Sequence, residues 1–400
     1  MAGPAWETPP VSDETSARAP GEHLDGADGA GGAEQMAQQL AQQMAEQLAG
    51  QFDTQAIGCR HLGSPVWADM CERLAVDLRT GGRTRDLLEP HAGTRWGLAL
   101  PLRLLGGAHR LALTGDAPAL AATLPSCGAT SVDPDSVWTA LSGLIDEAPS
   151  ELVAALDLQV QTNEVGRSAA LAIGLARLAE RWSTAVDLAE IGSSAGLNLQ
   201  LDRFAYQYED VVVGAADSPV RIIDIWDRDP CLGALADLRV DRRSGCDVSP
   251  VDPTTSEGAL RLRSFVWPDQ TARFARLEGA IDLATRTPPT LSAESAATFV
   301  PEILDRNRAG GVVIFHSIMW QYVDKAERVV ITDAIEAAGA VATADRPVAW
   351  LTYEPDPDVR TRASLRLRSW PTVPGTATSA GETEILAIGG FHGEWVGVLR

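Results

Sequence analysis

The stretch Val186-Asp187-Leu188-Ala189-Glu190-Ile191-Gly192-Ser193-Ser194-Ala195-Gly196-Leu197-Asn198-Leu199 decides the fold class. An apolar run bounded by turn residues reads as a buried parallel strand, followed by a tight Gly/Ser turn and the start of a helix. Gly192 and Gly196 allow the backbone to approach a ligand closely, and the free N–H groups that open a helix favour anionic or polar atoms. Glu190 stands at the strand tip, where a carboxylate can take a ribose hydroxyl or a charged amine. Ser194 occupies the middle of the turn.

Beyond the turn, strands and helices alternate. Leu197, Leu201 and Phe204 mark a helix face. Two β-rich runs, 206–213 and 220–226, flank Gly214 to Pro219 and predict a hairpin inserted at about 205–240. Gly245-Cys246-Asp247 ends a second parallel strand, with Asp247 placed to reach a ribose diol. The insertion accounts for its distance from Glu190, far beyond the about 20 positions of a compact fold of this type. Trp267-Pro268 opens a helix through Arg273, Leu277 and Ile281, since proline suits a first turn. A short strand at Thr290-Leu291 leads to Glu294, placed near an adenine amine. The strand 312–315 ends at His316-Ser317, and the strand 348–353 ends at Glu354. Two last strands lie at 364–370 and 384–388. The pattern predicts an α/β fold, a Rossmann-like doubly wound, mainly parallel sheet of about seven strands with an antiparallel edge and the strand at Val186 central.

Upstream the texture differs. Residues 1–35 are rich in Gly, Pro, Ala and acids, which predicts a disordered acidic leader. Met36, Leu40, Met44, Leu48 and Phe52 recur every four residues and predict an amphipathic helix, packed on its own domain or offered to a partner. Helical patterns at 66–78, 98–113, 137–158 and 169–182 extend this into a helical N-terminal region or cap over 36–182, ahead of the α/β domain at 183–400. Between two of these helices, Gln161 to Arg167 is unusually polar. Asn163 and Arg167, four apart, share one helical face, where they form an interhelical network or meet a substrate.

Composition excludes several classes. A net charge of −21 argues against a nucleic-acid surface. Among 33 basic residues only Lys325 is a lysine, and it lies in neither a P-loop nor a pyridoxal context. The five cysteines are scattered, odd in number and never C-x-x-C, which predicts reduced thiols in a cytoplasm without a zinc site. No apolar run is long enough to span a membrane, and no basic stretch followed by an apolar one opens the chain as a secretory signal does.

The spacing E-x-G-x-x-x-G from Glu190 to Gly196 resembles the first motif of Rossmann-like S-adenosylmethionine (SAM) methyltransferases, with Ser194 in place of their middle glycine. Six ordered phrases also resemble the bacterial domain of unknown function 2332 family over roughly 58–400. They are Gln161 to Arg167, Glu190 to Leu199, Gly245 to Asp247, Val266-Trp267-Pro268-Asp269-Gln270, His316-Ser317-Ile318-Met319-Trp320-Gln321-Tyr322 and His392-Gly393-Glu394-Trp395-Val396. That family name carries no activity.

The methyltransferase resemblance implies SAM as cofactor and a small-molecule acceptor. Gly192, Ser194 and Gly196 would cradle the cofactor's amino-acid and ribose side, with Glu190 on the ammonium, Asp247 on the ribose and Glu294 at the adenine. His316, Gln321 and Tyr322, at a strand's C-terminal end, would serve the acceptor, as would Asn163, Arg167, Trp267 and Asp269. Two alternatives stand beside this reading. Gly192-Ser193-Ser194-Ala195-Gly196 also fits the G-x-S-x-G nucleophile elbow, with Glu354 or Asp356 and then His392 completing a hydrolase triad in chain order. A Rossmann-like scaffold without chemistry is the other, because fold does not fix function.

Overall fold

A computed structural model describes residues 29–93, 99–161, 163–306, 309–371 and 381–399. The chain forms two compact units, one of Met1–Val160 with Ser264–Thr271 and one of Gln161–Arg263 with Ala272–Arg400. Most of the expected leader lies outside the described residues. Its end, from Gly29, is already helical.

The first unit is helical, with no strand among its described residues: α1 (Gly29–His61), α2 (Pro65–Thr80), α3 (Arg83–Leu88), α4 (Leu100–Thr114), α5 (Pro118–Ala121), α6 (Pro134–Glu147) and α7 (Pro149–Leu156). Proline opens α2, α5, α6 and α7, where its missing N–H costs nothing. The apolar run 137–158 is two helices because Pro149 cannot continue α6. The stripe of α1 is used over only half its length. Leu48 and Phe52 are buried in the core with Met44 against them, while Met36 and Leu40 are exposed.

A returning segment, 264–271, completes this core. Trp267 is buried in it, and Asp269 accepts bonds from the Ser64 hydroxyl (2.6 Å) and the Val66 amide (3.0 Å), so it caps the first turn of α2. His109 is held between the Ser264 carbonyl and the Ser126 hydroxyl. Burial pushes the pKa of His109 down to about 4. Trp267 and Asp269, expected at a substrate, are therefore structural parts of the helical unit.

The second unit is α/β. Helix α8 (Ser168–Arg181), expected in the helical region, belongs here: Leu351 of the sheet fills the place where a side chain at Gly174 would stand. After β1 (Val186–Ile191), the inserted region forms a separate sheet of β2 (Ala205–Tyr208), β3 (Val211–Val213) and β4 (Arg221–Ile223). The expected hairpin is shifted. The reversal falls within the first β-rich run, at Glu209-Asp210, where Glu209 has φ 50°, and β4 adds to β2 in parallel.

The main chain path then runs through β5 (Val240–Asp247), α9 (Ser256–Ser264), α10 (Thr271–Arg286), β6 (Thr290–Ala293), α11 (Ala296–Asp305), β7 (Gly311–Ser317), α12 (Lys325–Ala340), β8 (Val348–Pro355), β9 (Ala363–Trp370), β10 (Glu384–Gly389) and β11 (Val396–Val398). The eight-stranded sheet has the order β11-β10-β9-β8-β7-β1-β5-β6. Strands β6, β5, β1, β7 and β8 are mutually parallel and β9 to β11 antiparallel, so β1 is the middle of the parallel set. The eighth strand is the three-residue β11, too short to show a period in sequence. Ala189, Ile191, Val312, Ile314 and Trp350 pack on α11 and α12. By strand alternation Leu188 and Glu190 point to the opposite face. No helix among the described residues is long and apolar enough to cross a membrane.

Candidate functional site

Strand order reverses between β1 and β7. The chain runs from β1 outward through β5 to β6, then returns to β7 on β1's other side. Crevices at the C-terminal ends of parallel strands at such a reversal are the usual ligand sites of open α/β sheets. The Gly/Ser turn stands over the end of β1, with Glu190 beside Gly245 and Phe315 in the neighbouring strands.

The turn is tightly held from within. Asp247 at the tip of β5 accepts the Ser194 amide with one oxygen and the Ser249 amide with the other, both at 2.9 Å. The Ser193 amide donates to the Cys246 carbonyl. The polar segment before α8 supplies the remaining clamps. Gln161 accepts from the Ser194 hydroxyl (2.6 Å) and donates to the Ser249 carbonyl, Asn163 accepts the Leu197 amide (2.8 Å), and the Glu164 carbonyl takes the Asn198 amide group. The expected shared helical face of Asn163 and Arg167 does not form, because Val165–Arg167 is a 3-10 turn. Nor does an α-helix follow the Gly/Ser turn: Leu197–Arg203 is a seven-residue 3-10 helix. Its dipole is correspondingly small.

Gly196 has φ 67°, and a Cβ there would lie 2.8 Å from a Leu291 methyl. Gly192 has φ 65° with the Met319 side chain packed against it. The turn is thus covered by protein. A side chain at Gly196 would disrupt this packing.

Two buried carboxylates flank this turn. Glu164 accepts the Gly166 amide (2.9 Å) and pairs with Arg273 (2.6 Å). Burial opposes its charge, but Arg273, His392 and Arg167 outweigh that and hold its carboxyl below the usual range. Glu190 is only 2% exposed, and its Oε2 has no hydrogen-bond partner. Burial, with Asp247 nearby, pushes its pKa well above the ordinary value, and Arg167 only partly offsets this. Glu294 sits at the tip of β6, its amide on the Asp247 carbonyl. Cys246 lies on the Ile191 face of the sheet, and burial pushes its thiol up to about 12.

Arg167 lies at the same edge of the sheet. Its Nε donates to the Phe391 carbonyl (2.9 Å) and its Nη1 to the Ser317 carbonyl at the end of β7 (3.1 Å). Gly166 and Gly393 meet backbone to backbone, so a side chain at either would collide with the other loop.

His316 points to the other face of the sheet, among Trp320 (stacked, ring centroids 4.9 Å apart) and Trp350. Its Nδ1 lies 2.6 Å from Glu354 Oε1, which also accepts the Met319 and Trp320 amides. With Nδ1–H on the carboxylate, Nε2 is left as an acceptor, and it has no partner. Gln321 and Tyr322 are exposed on the following 3-10 turn.

The hydrolase triad does not assemble. Ser194 bonds to Gln161, Glu354 to His316 and Asp356 to Arg362. Burial, with Arg273 nearby, pushes the pKa of His392 down to about 3, too low for a useful base at neutral pH. The G-x-S-x-G spacing is satisfied because a strand-to-turn geometry needs small residues, whatever chemistry it serves.

Residues 161–167 were legible as polar but not as the clamp on the turn. Arg273 and the Phe391 carbonyl had no sequence signal, since each is brought in by tertiary packing alone.

A family model described as "Uncharacterized protein conserved in bacteria (DUF2332)" matches residues 49–397. No curated protein and no solved structure matches the chain.

Proposed function

The chain belongs to this family of uncharacterized bacterial proteins, and we propose that its α/β unit is a SAM-binding, methyltransferase-like enzyme acting on a small-molecule acceptor. The observation that carries the reading is Glu190: a buried carboxylate without a partner at Oε2, at the tip of the middle parallel strand and beside the reversal of strand order. A buried acid left unsatisfied costs stability, and such groups gather where a ligand supplies the partner. Helices on both faces of a mainly parallel sheet and an antiparallel edge support the finer description as Rossmann-like and doubly wound.

The fit to the cofactor is uneven. Glu190 fits an ammonium group. Asp247 accepts one amide on each oxygen and keeps a lone pair on each for ribose hydroxyls, and Glu294 completes an acidic rim. The amides of Ser194 and Leu197 are already taken, so backbone donors contribute less here than the motif implies. When bound, the sulfonium supplies an electrophilic methyl group. The chain's part is to place the acceptor. In this reading Gln321 and Tyr322 orient the acceptor from the exposed turn and Met319 keeps water from Gly192, while His316, buried on the other face, is held by Glu354 and supports the turn from behind.

The closed turn favours a second reading, a scaffold without chemistry. Calorimetry with SAM and S-adenosylhomocysteine separates the two. Saturable binding to the wild-type protein, weakened at least tenfold in Glu190→Gln with the fold intact, is the expected result. Absence of binding to either ligand leaves the scaffold.

A further inference from the structure

We infer that Arg276 on α10, set between the Glu164–Arg273 pair and the Pro219 backbone, anchors an anionic small molecule by its carboxylate or phosphate group. The site does not depend on the adenosyl cofactor. Where that cofactor binds, the anion is carried by the methyl acceptor.

Arg273, Arg276 and Gly279 follow one another at three-residue spacing along α10, so they form one row on its surface. Both ends of the row are pinned. Arg273 pairs through Nε with one Glu164 oxygen at 2.6 Å, and the other Glu164 oxygen takes the Gly166 amide. At Gly279 the Pro219 carbonyl comes so close that no side chain would fit. Arg276 stands between these two contacts, half-buried, with its Nε fully enclosed. Among the described residues its guanidinium makes no hydrogen bond and no ion pair.

Other enclosed arginines of this unit are matched. Arg181 lies on Glu384 and Arg243 on Asp202, each through two parallel bonds. Carboxylates are abundant, with 54 acidic residues against 33 basic ones. Glu164, which meets the same row, has both oxygens committed, so the row carries two guanidinium groups against one carboxylate. Burial holds the pKa of Arg276 below the ordinary arginine value, and Glu164 only partly opposes this. A buried donor without a partner costs stability, and a carboxylate or phosphate supplies the missing acceptors in a planar, two-bond geometry. A neutral ligand could take the hydrogen bonds but would leave the charge uncompensated. Lysine at 276 would keep the charge and lose the fork.

The test is thermal unfolding of the full chain in rising inorganic phosphate or acetate, each compared with sodium chloride at equal ionic strength. The wild-type protein should show saturable stabilisation by at least one of the two anions, and the anion that acts names the group. Arg276→Gln should weaken that binding by about tenfold or more, and Arg276→Lys should fall between. Neither variant strands a hydrogen-bond partner, and the wild-type comparison with chloride stands without them. Arg286→Gln, exposed further along the same helix, controls for the lost charge and should match wild type. No saturable effect of either anion on the wild-type protein overturns the site. So does an effect that Arg276→Gln leaves unchanged, which marks an adventitious ion only. Anion binding without adenosyl binding upholds the site and removes the cofactor reading, and adenosyl binding without an anion effect does the reverse.

Discussion

The segment before α8 and the tip of β1 each bury one glutamate, and the two are handled in opposite ways. Glu164 is 4% exposed and fully engaged, by the Gly166 amide and by Arg273. Glu190 is as deeply buried, and its Oε2 has nothing. Removing one partner of a buried pair strands the other charge, whereas removing an unpaired acid strands nothing. The first region is built to hold the Gly/Ser turn in place. The second leaves a buried acid without a partner, which costs stability.

The sharpest way to break this contrast is a pair of substitutions. Glu164→Ala should cost about 3–5 kcal/mol, because Arg273 is left buried without its carboxylate. Glu190→Gln should be neutral or stabilising at pH 7. Urea denaturation of both measures the difference. A Glu190→Gln protein as unstable as Glu164→Ala would show that the β1 tip is structural too.

Acid and base should also separate the two. Glu190 has a raised folded pKa, so its protonated form is favoured by folding, and that contribution fades as pH rises from about 4.3 through the folded value. The stability of Glu190→Gln relative to wild type should therefore grow across this window, by up to about 1.4 kcal/mol per pH unit. Glu164 has a lowered folded pKa, so its contribution is complete above about 4.3 and is lost as pH falls through the folded value. A wild-type curve indistinguishable from that of Glu190→Gln between pH 5 and 8 would contradict the raised pKa.

Smaller effects test the clamp on the turn. Asn163→Ala leaves the Leu197 amide unpaired and should cost about 1–3 kcal/mol. Ser194→Ala loses one bond to Gln161, about 1 kcal/mol, and the wild-type protein should resist a fluorophosphonate probe. Labelling at Ser194 would restore the hydrolase reading. Tyr322→Ala, at an exposed position, should shift stability by no more than about 0.5 kcal/mol.

The strands were legible because apolar runs such as 312–315 and 348–353 are long enough to show a buried element between breakers. Glu190 was legible as a strand tip for the same reason. The turn's neighbours were not. Leu197, Leu201 and Phe204 are spaced as on a helix, yet Asn198 and Gln200 anchor their side chains to the Glu164 and Thr287 carbonyls, and the segment winds as 3-10. Asp247 was placed correctly at its strand end, but its bonds to two backbone amides depend on where the turn folds back. Spacing shows which residues share a face. It does not show which distant carbonyl or amide will claim them.

The returning segment 264–271 has a consequence for how the protein is made. The helical unit's first 160 residues leave the ribosome without Trp267, which fills its core, or Asp269, which caps α2. Both arrive only after β1 and β5 have been synthesised. The N-terminal unit therefore waits, incomplete, while part of the second unit is translated. A gene fragment ended at Val160 would encode α1 to α7 and still lack the piece that closes their core.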